Sequence, residues 1–173
     1  MRWLLGLVWL VLVSHPAAGQ VAMPDSATKA GYRQLLLELR DTVGAVAARG
    51  NEFRRDLQTV GETTVLSRAA RLEAACVGAR QALDEARSEL AAAKFAAHHA
   101  GVRDTLVTAI GALTTSLERD CHRGLSPTGP GSRADTLRAW GPNRTARLTQ
   151  AISGYHAAVG RFARRLGIDL IVR

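Results

Sequence analysis

The chain has 173 residues with 23 basic and 15 acidic side chains, a net charge of +8, and that length holds one domain burying roughly 70% of its unfolded surface. Aromatic side chains make up only 5% of it, too few for a base-stacking surface, which argues against a nucleic-acid role. The charge is uneven. Residues 20–123 carry 14 basic and 13 acidic side chains, a balance of +1, whereas 124–173 carry 8 and 2, a balance of +6.

Arg2, the apolar run 3–13 and the small residues Ala17-Ala18-Gly19 read as a secretory signal over 1–19. Eleven apolar residues reach about 16 Å as a helix against a hydrocarbon core of roughly 30 Å, so the run is too short to span a membrane. The expectation is export to the periplasm or beyond, with 20–173 as a single helical-bundle domain carrying no transmembrane span.

Residues Tyr32, Leu36, Leu39, Val43, Val46, Gly50, Phe53, Leu57 and Val60 recur at steps of four and three, the seam of a helix over 27–60. A bend at Gly50-Asn51 is the open point, because Gly costs roughly 1 kcal/mol relative to Ala inside a helix. Gly61 fits a left-handed cap. The same spacing holds over 65–97 through Val65, Ala69, Leu72, Cys76, Ala79, Leu83, Ala86, Leu90, Ala93 and Ala97, with a turn expected at 98–101. A third helix carries Val102, Leu106, Ala109 or Ile110, Leu113 and Leu117, and 126–132 reads as a loop. Ser132 with Asp135 makes a capping box for a short cross-helix near 134–140, which Gly141-Pro142-Asn143 should interrupt. The last helix carries Leu148, Ile152, Tyr155, Val159, Phe162 and Leu166 up to Gly167, and the apolar tail after it docks on the bundle. These elements give an all-α fold, an antiparallel four-helix bundle with long coiled-coil-like helices and no sheet.

Cys76 and Cys121 are the only cysteines, and an even pair in an exported chain reads as one disulfide. In an antiparallel pair of helices the numbers of facing residues share one sum. For these two cysteines it places the turn between His98 and His99, within two residues of the turn signal at 98–101. The same register leaves 47–75 as a projecting arm on which Phe53, Leu57, Val60 and Leu66 would form a partner-docking surface, unless the segment 132–140 covers them or helix one bends back at Gly50.

Other constellations are sparse. Cys121-His122 shares its ending with c-type haem attachment, but Glu118 stands where the first cysteine would be. His98, His99 and His156 would have to converge to hold a metal, and in the disulfide register a solvated pair of turn histidines is the better reading. No cofactor is expected. No nucleophile motif or Gly-rich phosphate loop is present, so the chain does not read as an enzyme. Arg144, Arg147, Arg161, Arg164 and Arg165 form a basic face on the last helix, suited to an unknown acidic protein or an anionic envelope component, with a solvated helix face as the plainer alternative. The leading function is therefore a non-enzymatic interaction module, and the second is a small-ligand or metal-binding bundle. The long seams also leave room for a homodimer.

Overall fold

The computed structural model describes residues 26–122 and 132–171. The expected signal segment and most of the expected 126–132 loop lie outside them. The described residues form four helices and no strand: α1 (Ser26–Asp56), α2 (Glu62–Ala92), α3 (Ala97–Ser116) continuing into a π-helical turn (Leu117–His122), and α4 (Arg133–Leu166).

The seams are the core. Leu36, Leu39, Val43, Val46 and Phe53 are buried on α1, and Leu57 just beyond its end. All eight residues from Val65 to Leu90 in the 4-3 series are buried on α2, and Leu148, Ile152, Tyr155, Val159, Phe162 and Leu166 on α4. Helix α1 runs through Gly50 without a break, because the seam on both sides is in phase and tertiary packing outweighs the roughly 1 kcal/mol propensity cost. Arg68 of α2 reaches Glu52 and Asp56 of α1, each at 3.0 Å.

Three expected local features are corrected. Gly61 is extended (φ −67°) and serves as the N-cap of α2, so it is not a left-handed cap. The carbonyls of Leu57 and Val60 at the end of the α1 turn accept instead from the Arg138 guanidinium, both at 3.1 Å. Helix α2 stops at Ala92, not near His98, and His98 to Gly101 form the first turn of α3. Phe95 explains the early stop. Its ring stacks on Tyr32 at 5.3 Å and meets Phe162 edge-on at 5.9 Å, so the connector 93–96 is drawn onto α1 and α4, and aromatic packing outweighs helix propensity.

The third correction concerns α4. No separate cross-helix exists at 134–140: these residues are the first turns of one helix of 34 residues with Pro142 inside it. Ala134, Leu137, Gly141, Thr145 and Leu148 keep a continuous buried stripe across the proline. The buried Thr145 hydroxyl donates to the carbonyls of Gly141 (2.9 Å) and Pro142 (3.0 Å), while the carbonyl that the proline deprives of its amide donor is that of Arg138, one turn earlier. The same stripe closes over the end of α1. Phe53 and Leu57 are each only 1% exposed and lie under Gly141, while Val60 and Leu66 are partly buried against the core. The apolar arm surface expected at 47–75 is thus covered from within the chain.

Gly167 is left-handed (φ 65°) and ends α4 as the sequence implies. Beyond it Ile168 is buried. Arg33 donates to the carbonyls of Asp169 (2.8 Å) and Ile171 (3.4 Å), and Arg40 to that of Leu170 (3.3 Å). The tail is therefore held through its main chain.

A Cβ at Gly141 would sit 2.7 Å from Leu57 Cδ1 and 3.1 Å from Phe53 Cε1, whereas one at Gly78 would meet nothing within 4 Å. Gly141→Val should lower unfolding free energy by about 1–3 kcal/mol through overpacking. Gly78→Ala on the exposed side of α2 should raise it by about 0.5–1 kcal/mol. Urea titration of both variants checks the contrast.

Candidate functional site

The disulfide forms between Cys76 and Cys121, with Cα atoms 6.3 Å apart. It meets α2 at the π-helical turn, where one extra residue per turn changes which side chains face inward. Ser116, Leu117, Asp120 and Cys121 are all buried there. Arg80 of α2 forms an ion pair with Glu118, and Arg87 lies against Gly111 at 3.3 Å from the position of a Cβ. Along α2 the partners advance from 76 to 80 to 87, and along α3 they retreat from 121 to 118 to 111. The pairing of Cys76 with Cys121 is as expected, but the turn is not between His98 and His99: the connector is 93–96.

Asp120 is the centre of this region. Its side chain is fully shielded and accepts from Ser116 Oγ (3.1 Å), Arg119 Nη2 (2.6 Å) and Arg147 Nε (2.9 Å). Burial pushes its carboxyl up, but the hydrogen bonds from Arg119, Arg147 and Ser116 outweigh that and hold it below its ordinary 3.8. Such a group stays ionised near neutrality and has no proton to give. It serves as an anchor that joins the π turn to α4.

Above this anchor lies an open groove of about 680 Å³, lined by Arg80 and Asp84 of α2, Thr114 of α3, Glu118 and Arg119 of the π turn, and Arg144 of α4. A second depression of about 270 Å³ continues it along α4 past Trp140, Asn143 and Arg147, with Arg144 shared. Trp140 is 55% exposed, and the Arg144 guanidinium lies 5.4 Å over its ring while donating to the Arg119 carbonyl at 3.0 Å. The Thr114 hydroxyl is buried with no partner among the described residues.

The sequence-predicted residues divide accordingly. Arg144 and Arg147 belong to the groove, with Arg147 paired to Asp120. Arg161, Arg164 and Arg165 are exposed on later turns of α4, about 21–32 Å further along it, so the five arginines do not make one patch. Arg80, Arg119 and Trp140 join the groove unannounced, because only the fold brings the three chain segments together. Arg80 sits at a partly buried position beside the α2 seam, the one signal that could have marked it.

The histidines do not converge. His98 and His99 are adjacent, with ring centroids 3.8 Å apart, but the residue of α4 acting on His99 is Arg165. His156 lies nine residues earlier, about 13 Å along the helix. Among the described residues no group of three or more histidine, cysteine or carboxylate side chains could hold a metal ion. His99 is also not solvated: it is 4% exposed, and both ring nitrogens lack partners among the described residues. Burial, then His98, Arg165 and Lys29, depress its basicity below the ordinary 6.5.

Comparison with protein-family models, with curated proteins and with solved structures finds no match to this chain. The fold and site define an all-helical, disulfide-bonded protein, with no described helix long and apolar enough to cross a membrane.

The sign of the His99 shift gives a prediction. The unfolded chain takes a proton on this imidazole near 6.5 while the folded chain resists it until lower pH, so stability falls as pH drops below about 6.5. Thermal melts between pH 7.5 and 5.5 should show a falling Tm. His99→Leu should flatten that slope, whereas losses below about pH 4 from Asp120 should remain in both proteins.

Proposed function

We propose that the chain is an exported, non-enzymatic interaction module, built as an antiparallel four-helix bundle with coiled-coil-like seams, that grips an acidic segment of a partner protein in the groove between α2, the π turn and α4. The intramolecular disulfide is in keeping with an oxidising compartment. Paired residues that advance on α2 and retreat on α3 support the antiparallel arrangement. So do α4 contacts, with Gly141 beside Leu57 and Gly167 beside Lys29.

The observation that carries the reading is Trp140, largely exposed with Arg144 stacked on it at the junction of the two depressions. Trp and Arg are the side chains that most often supply interface energy, and neither is needed here to fill the core. Arg80, Arg119 and Arg147 surround them and pair with Glu118 and Asp120, Asp84 lines the same groove, and among the described residues Arg144 meets the Arg119 carbonyl and the Trp140 ring but no carboxylate. A carboxylate-bearing segment would complete that guanidinium, and the separate Arg161–Arg164–Arg165 face adds long-range attraction. A metal-binding reading has no support from the placement of His98, His99 and His156.

In a chain beginning at Gln20, Trp140 is the sole tryptophan and reports on the groove directly. Titration with poly-glutamate should shift its emission, and poly-lysine should leave it unchanged. Arg144→Glu should weaken poly-glutamate binding about tenfold or more, roughly 1.4 kcal/mol, while Arg161→Glu with Arg165→Glu should weaken it less. Equal binding by the parent chain and Arg144→Glu would remove the groove from the account.

A further inference from the structure

The end of the bundle away from the α1–α2 turn is held together by three rings. Phe95 of the connector stacks on Tyr32 of α1 and meets Phe162 of α4 edge-on, and Tyr32 meets Phe162 at 5.9 Å. Each ring brings cations with it. Lys29 stands one turn before Tyr32, Lys94 directly before Phe95, and Arg161, Arg164 and Arg165 within one turn of Phe162. The Lys29 ammonium lies 3.8 Å from the position of a Cβ on Gly167, and Lys29 and Arg165 both act on the His99 imidazole. Lys29 is half-buried and the other four are exposed.

None of these five cations forms an ion pair among the described residues, whereas Arg49, Arg55 and Arg68 do so toward the opposite end, and Arg80, Arg119 and Arg147 at the groove. The helix dipole favours Arg164 and Arg165 in the last turn of α4 but opposes Lys29 in the first turn of α1. The carboxylates nearby are Glu89, which acts on Tyr32 along with Arg103, Asp104, paired to Arg103, and Asp169, which accepts from the Ile171 amide. Positive charge is left in excess.

We propose that this end of the bundle docks on a membrane surface rich in anionic phospholipid, with Lys29, Lys94, Arg161, Arg164 and Arg165 among the head groups. It shares no residue with the groove, so it is independent of the reading above. Cations from three chain segments spread over one end suit an extended layer of phosphates, which raises the binding constant about fivefold for each Lys or Arg held near it. Ile171, whose carbonyl Arg33 holds, is 71% exposed and adds an apolar side chain for the head-group region.

The test uses the chain beginning at Gln20, which keeps every described element and omits the apolar run 3–13, whose own affinity for lipid would mask the result. Flotation with phosphatidylcholine vesicles containing about 30% phosphatidylglycerol, in about 0.1 M salt, reads the bound fraction. Partition should be about tenfold or more above that on phosphatidylcholine alone. Lys29→Glu with Arg165→Glu should lower it about tenfold or more, and Lys29→Gln with Arg165→Gln should lower it by less, with melting temperatures checking that both fold. Arg54→Glu with Arg71→Glu makes the same change in net charge at exposed positions about 30–40 Å away along α1 and α2, and should lower partition less than about threefold. No preference for the anionic vesicles, equal losses from the two pairs of charge reversals, or release by inorganic phosphate at constant ionic strength would each overturn the proposal. So would retention of the Arg144→Glu protein on poly-glutamate without flotation, which would assign this end to an acidic protein.

Discussion

The bond between Cys76 and Cys121 fixes where the π turn sits against α2, and the rest of the molecule is arranged around that point. It closes a separation of 45 residues, for which chain entropy alone gives about 4 kcal/mol of stabilisation. One residue before Cys121, the buried carboxylate of Asp120 holds Arg147 of α4. A covalent link to one helix and a charge-assisted link to another thus leave from adjacent positions. Breaking either alone would be costly in different ways: loss of the sulfur bond frees the unfolded chain, whereas loss of Arg147 leaves a shielded charge less well compensated.

Asp120 and Cys121 of the π turn are buried, while its Glu118 and Arg119 lie on the outer side, where Arg80, Asp84 and Arg144 meet them to line the groove. The other end of the bundle is secured by Tyr32, Phe95 and Phe162 packed on one another, so both ends of the α2–α3 pair are tied to the remaining helices.

The seams were legible because helical burial leaves a 4-3 imprint that no other structure produces over thirty residues. The pairing of Cys76 with Cys121 is legible for a different reason, that the chain has just these two cysteines. What escaped had specific causes. The connector at 93–96 contains neither Gly nor Pro, and its position depends on where the Phe95 ring finds Tyr32 and Phe162. Pro142 is a strong local breaker, yet Leu137, Gly141, Thr145 and Leu148 pack on both sides of it and the helix persists. A π turn has no residue signature of its own. Of the site, Arg144 and Arg147 could be placed on a basic face from sequence, but their union with Arg80, Arg119 and Trp140 depends on three segments meeting. His99 escapes for the same reason: two residues before Gly101 it looks like a turn residue, and only the fold brings Lys29 of α1 and Arg165 of α4 to it.

The most direct measurement is a tryptic map of the unreduced, alkylated protein. Cleavage after Arg71, Arg80, Arg119 and Arg123 isolates each cysteine in its own short peptide. The account predicts that peptides 72–80 and 120–123 travel as one species from monomeric protein and separate only after reduction. Two singly alkylated peptides, or a linked pair found only in material that runs as a covalent dimer, would contradict it.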